Sequence, residues 1–249
     1  MSLLREIGLF SLTLAGLVVL SRWISRQVQI VVLRLTREEQ VAQMAYYLLF
    51  LPGIVLHELS HVLMAKLLGL RVGEVSLGPR RRDKYSIELG SVTISRGDPF
   101  QESLVGLAPF LSGTAVLMLI CYRIFDVGAM GEALRAGGWS AALGDLGRFW
   151  RVPDSGLWAY AVFVVSNAMM PSPSDRRPWL LAALYLALAL GALVLLVGTP
   201  IIPTSLSNQA AGLFQALTLA FLFTLMVDVL VAAGLWVLDQ IVVALQRAA

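Results

Sequence analysis

Ser103-Leu-Val-Gly-Leu-Ala-Pro-Phe-Leu-Ser-Gly-Thr-Ala-Val-Leu-Met-Leu-Ile-Cys-Tyr122 runs twenty residues without a charged side chain. A helix rises about 1.5 Å per residue and crosses the roughly 30 Å hydrocarbon core of a bilayer in about 20 residues. The stretch has the length and the chemistry of one crossing. Outward from it the same texture recurs, at Ile7–Leu20, Val41–Leu70, Gly156–Met170, Trp179–Val197 and Leu213–Leu238. Of 249 residues, 58% are hydrophobic and 14% charged, against about a quarter charged in a soluble domain. So few charges cannot cover a water-facing surface, and lipid is the expected solvent. The fold class expected is an all-α polytopic membrane protein of about six transmembrane helices, with a small β-hairpin or sheet after the second span.

The chain divides by these spans. Residues 1–40 read as a transmembrane helix and an amphipathic segment, because Arg22, Arg26 and Gln29 recur near helical spacing among Trp23, Ile24, Val28 and Ile30. The first twenty residues resemble a signal peptide, but no clean small-x-small site follows, so an uncleaved span is expected. Thr36 with Glu39 three positions on forms a helix-start signal. Residues 41–178 hold three spans, a hairpin over 72–95 around the turn Gly78–Asp83, and a Gly-rich loop with an interfacial helix over 126–154. Residues 179–249 supply two further spans.

A net charge of +3 might suggest nucleic acid, but no basic stretch is interleaved with base-stacking aromatics, so no nucleic-acid partner is expected. The arginines sit mainly between apolar spans, facing lipid headgroups. Cys121 is the sole cysteine, which excludes an intrachain disulfide and a thiolate zinc site. Its ordinary reading is a small buried hydrophobe.

The chemistry concentrates in the second span, at His57-Glu58-Leu59-Ser60-His61. Four residues apart on a helix, the two imidazoles share a face and can bind one metal ion, and Glu58 beside the first can take a proton from a water the ion polarises. Only two histidines exist, and their falling four apart with Glu after the first has odds on the order of 3 in 10,000 by chance. Ionisable groups within a span are costly and usually functional; the ordinary alternative is a pair of histidines hydrogen-bonded within the bundle. A catalytic zinc usually has three protein ligands and an open position, so the third ligand must be a carboxylate. Asp175 and Asp228 are the candidates, with Glu102 and Asp98 less plausible. Pro171 and Pro173 unwind the helix end before Asp175, which can turn that carboxylate inward. Asp228 lies mid-span, where a polar contact within the bundle is the ordinary reading.

With these residues in view, the chain resembles the site-2 protease family of intramembrane metalloproteases. His57, Glu58 and His61 match the family's first motif; Asn167, Pro171, Pro173 and Asp175 match its later Asn, Pro and ligand Asp in order and approximate spacing. Val75–Pro79 looks like its β-segment, and Gly106-Leu-Ala-Pro109 like a degenerate form of its Ala-Gly-Pro motif. The likeness covers Val41 to Asp175. Where the family has Leu before and Gly after the Asp, this chain has Ser174 and Arg176, and no peptide-binding domain is inserted between the spans.

The resemblance implies a zinc (Zn2+) endopeptidase that cuts within or near a transmembrane segment of another membrane protein, a single-span helix for preference, in the inner membrane of a bacterial cell. His57, His61 and Asp175 would hold the metal, and Glu58 would be the base. The hairpin could offer an edge strand to hold the substrate extended, and Asn167 could donate a hydrogen bond to a substrate carbonyl or the developing oxyanion; a helix-bundle amide contact is the ordinary alternative for it. Two other functions compete. One is a protease-like membrane binding or chaperone module without proteolysis; the other is a transporter-like polytopic protein with an incidental metal site. Oligomeric state is left open.

Overall fold

Thr36 closes one helix and Glu39 opens the next. The Thr36 hydroxyl accepts from the Glu38 N–H at 3.3 Å, and Arg37 between them takes a φ of 59°, a left-handed conformation that suits a tight reversal. The structure is a computed structural model describing residues 3–78, 80–83, 86–88, 90–133, 136, 147, 149, 151–197 and 203–248. Along the chain come α1 (Leu3–Thr36), α2 (Glu39–Leu67), strands β1 (Val72–Ser76), β2 (Arg80–Asp83), β3 (Ser86–Glu88) and β4 (Ser91–Ile94), then α3 (Pro99–Arg123), α4 (Ser155–Ala168), α5 (Trp179–Val197) and α6 (Thr204–Ala248).

Four helices are long and apolar enough to cross a membrane among the described residues: α1, α2, α3 and α6. The apolar stretches of α4 and α5 are shorter. Leu4 and Leu195, 82% and 88% exposed, illustrate the apolar outer surface that only lipid would tolerate at this density. The chain is a membrane protein on these grounds. The first apolar run and the amphipathic segment after it form one 34-residue helix, and the last span extends to 45 residues, because nothing between Pro203 and Ala248 breaks it. Residues 127–133 are helical; most of the rest of the expected interfacial loop lies outside the described residues.

The chain forms two compact units, Met1–Gly53 with Thr114–Asn167 and Ala210–Ala249, and Ile54–Gly113 with Ala168–Gln209. In the first, Leu17, Ser21, Ile24, Val28 and Val31 are buried along α1, alternating four and three apart as a helix–helix seam does. The partner is α6, which runs parallel to α1. Phe10 packs on Phe214 and Phe221, Gly16 faces Leu225, and the Arg34 guanidinium pairs with the Asp239 carboxylate. In α2, Pro52 removes a helical hydrogen bond and crowds the preceding turn. Nearby, the Tyr160 hydroxyl donates to the Leu49 carbonyl at 2.7 Å.

In the second unit, Gly69 (φ 74°) follows the end of α2. The Leu70 N–H reaches the Ala65 carbonyl at 2.9 Å and Gly69 N–H that of Lys66 at 3.1 Å, a paired C-terminal closure that favours glycine. The chain then enters nested antiparallel pairs. β1 pairs with β4 in the register Val72↔Ile94, Val75↔Val92, Ser76↔Ser91, and β2 pairs with β3 inside them. This is the hairpin expected after the second span. Asp98 opens α3 by accepting from the N–H groups of Phe100 and Gln101, both at 2.8 Å, while Gln101 Oε1 accepts from the Asp98 N–H at 3.0 Å. That reciprocal cap occupies Asp98, one of the weaker ligand candidates.

Candidate metal centre

Two prolines prepare this site. In α3 the carbonyl of Val105 would normally accept from the residue four on, but that residue is Pro109, which has no N–H. The freed carbonyl takes a hydrogen bond from His61 Nδ1 at 2.9 Å. The carbonyl of Ala168, at the end of α4, would accept from Ser172 if the helix continued. Pro171 discourages that continuation, and the Ser172 N–H donates to Asp175 Oδ2 at 2.7 Å instead. Ala168 is therefore free to accept from His57 Nδ1 at 2.7 Å. A carbonyl only accepts, so Nδ1 carries the proton in both rings and Nε2 presents its lone pair. Fixing a ligating histidine through its other nitrogen is the common outer-shell arrangement at metal sites.

Substituting Pro109→Ala returns an N–H to compete for the Val105 carbonyl. The helix itself should gain stability, since an interior proline costs about 3 kcal/mol. Metal affinity should nonetheless fall by about tenfold, read by competition with a chromophoric chelator. Unchanged affinity would mean that the freed carbonyl does not orient His61.

The two Nε2 atoms lie 3.2 Å apart. Asp175 brings Oδ1 to 3.3 Å from His61 Nε2 and Oδ2 to 3.6 Å from His57 Nε2. A tetrahedral ion with bonds near 2 Å sets its ligand atoms about 3.3 Å apart. Three lone-pair donors converging this closely repel one another unless a cation lies among them. His57, His61 and Asp175 thus fit a divalent ion by spacing and by donor chemistry, and they form the one potential metal-ligand group among the described residues.

Asp175 is held by its local turn, where its own N–H also reaches Ser172 Oγ at 3.3 Å. Gly106 packs so closely on the Asp175 backbone carbonyl that a Cβ would collide with it. This gives the Gly-Leu-Ala-Pro segment two tasks: glycine admits the Asp175 loop, and proline frees a carbonyl for His61.

Glu58, 8% exposed, follows His57 directly and faces Gly90, where an added Cβ would lie 2.8 Å from Glu58 Oε1. The ligands and Glu58 share a cavity of about 560 Å³ whose wall includes Ser91 and Val92 of β4. Glu102 lines the same cavity without joining the ligand group.

Of the residues singled out in the sequence, His57, Glu58, His61 and Asp175 are brought together in one unit. Asn167 belongs to the other unit. There its Nδ2 donates to the Phe163 carbonyl at 2.8 Å, Ser166 Oγ at 3.2 Å and Asp228 Oδ1 at 3.4 Å, while its Oδ1 is buried without a partner among the described residues. Asp228, fully buried, also accepts from Ser166 Oγ at 3.1 and 3.2 Å. It makes the polar bundle contact that its mid-span position suggested. The parts played by Val105 and Ala168 are backbone parts, invisible in side-chain identity; for Val105 an in-helix proline four residues on, Pro109, was the available signal. Comparison of the chain with protein-family models, with curated proteins and with solved structures finds no match.

Proposed function

We propose that this protein is an intramembrane zinc metalloendopeptidase, built on six apolar segments in the inner membrane of a bacterial cell, that cuts other membrane proteins within or near a transmembrane segment. One observation carries the reading: two imidazole nitrogens and a carboxylate converge at 3.2–3.6 Å, with a buried glutamate on the residue after the first histidine. Zinc held by His57, His61 and Asp175 supplies Lewis acidity, polarising water and the peptide carbonyl; imidazole–carboxylate ligation favours it over harder ions.

Glu58 takes the proton of the attacking water and returns it to the leaving amine. A helical substrate hides its carbonyls in hydrogen bonds, so it must be extended before attack. The edge of β4 (Ser91–Ile94) away from β1, which pairs with no strand among the described residues and belongs to the wall of the cavity, suits a peptide added as a further strand.

The test is the full chain reconstituted in lipid with a panel of single-span substrates. Cleavage is expected that stops when a chelator strips the metal and returns on adding zinc. A chain that binds zinc tightly and cuts nothing would favour the binding or chaperone module instead.

A further inference from the structure

The cavity that holds Glu58 and the three metal ligands is also lined by Arg96 and Arg177. They reach it from separate places in the chain, Arg96 two residues after β4 and Arg177 two residues after Asp175. Neither guanidinium has an ion pair or a side-chain hydrogen bond among the described residues. Their neighbour Arg176 differs, its Nε donating to the Ser172 carbonyl at 3.4 Å. Of the cavity's three acids, Asp175 is turned to the imidazoles and the Ser172 N–H, and neither Glu58 nor Glu102 makes an ion pair with either arginine among the described residues.

We propose that Arg96 and Arg177 form an anion-recognising subsite that selects substrates carrying an aspartate or glutamate close to the cleaved bond. The inference rests on the peptidase reading above and names its substrate class. Gly90 faces Glu58 and so marks the level of the reacting carbonyl. Arg96 lies six residues further along the same strand and its exit, at most about 20 Å in extended chain. A peptide laid along β4 therefore meets the arginine within about six residues of its cut. Guanidinium suits this task, because its planar fork matches a carboxylate in two parallel hydrogen bonds. Phosphate would satisfy the same fork. The two side chains line the cavity that holds the chemistry, however, and this favours a peptide acid over a lipid headgroup.

The experiment pairs single-span substrate peptides that differ only in Glu or Gln within six residues of the cut. Binding is read by fluorescence anisotropy on the full chain carrying Glu58→Gln with zinc bound, so that no turnover intervenes, and cleavage is read on the wild-type chain. The Glu peptide should bind about fivefold tighter than its Gln twin at low salt, the scale of two partly solvated ion pairs. The difference should vanish near 0.5 M salt by screening, and also in the double variant Arg96→Gln, Arg177→Gln. The charge reversal Arg96→Glu, Arg177→Glu should turn the preference toward a Lys peptide, and zinc content measured on each variant shows that it has folded.

Equal binding of the twins by the chain with both arginines intact overturns the proposal, as does a preference that survives the double Gln variant. Competition by anionic-lipid vesicles that weakens both peptides equally would assign the arginines to headgroups and overturn it too. Acid preference in binding without any cleavage would sink the peptidase reading alone. Cleavage indifferent to the acid would sink the subsite alone.

Discussion

Glu58→Gln is expected to lower kcat/KM for a cleaved single-span substrate by about a thousandfold, the middle of the range for losing a positioned general base. The amide keeps the volume of the carboxylate and leaves His57, His61 and Asp175 untouched, but it cannot take a proton from water at neutral pH. Zinc content, measured by atomic absorption on the purified chain, should therefore stay at the wild-type level while turnover disappears. This pairing of outcomes separates a catalytic role from a structural one. A variant that keeps a tenth or more of its activity would show that Glu58 is not the base. One that loses its metal would show that Glu58 supports the ligands instead.

The second large effect concerns the third ligand. Asp175→Asn removes the negative charge from the triad and leaves a weak neutral oxygen 3.3 Å from His61 Nε2. Loss of an outer-shell partner alone costs 10–100-fold in metal affinity, so loss of a direct ligand should cost about 100-fold or more. Zinc stoichiometry after dialysis against a mild chelator should fall accordingly. Asp228→Asn is the control, since that carboxylate is engaged by Ser166 and Asn167; zinc content should not change. The opposite pattern would move the third ligand from Asp175 to Asp228.

Much of this arrangement could be read from residue order. Hydropathy located the helices, because a lipid-embedded chain displays its solvent preference in unbroken runs. The hairpin was legible from β-forming residues around Gly78–Asp83. His57, Glu58 and His61 were legible because an α-helix converts a spacing of four into a shared face. Asp175 was reachable by elimination and by its prolines.

What escaped was held by backbone or by closeness. The carbonyls of Val105 and Ala168 set the imidazole tautomers, yet no side chain announces them. Gly106 and Gly90 matter for what approaches them, the Asp175 loop and Glu58, and sequence shows neither neighbour. The length of α6 escaped too: Thr204–Ala248 runs well past the apolar stretch Leu213–Leu238, since polar ends extend a helix as readily as they end a hydropathy window.

The shared direction of α1 and α6 bears on how the chain is threaded. An even number of traverses would set the first and last in opposite senses. Where both cross the bilayer, helices that run the same way have an odd number of crossings between them.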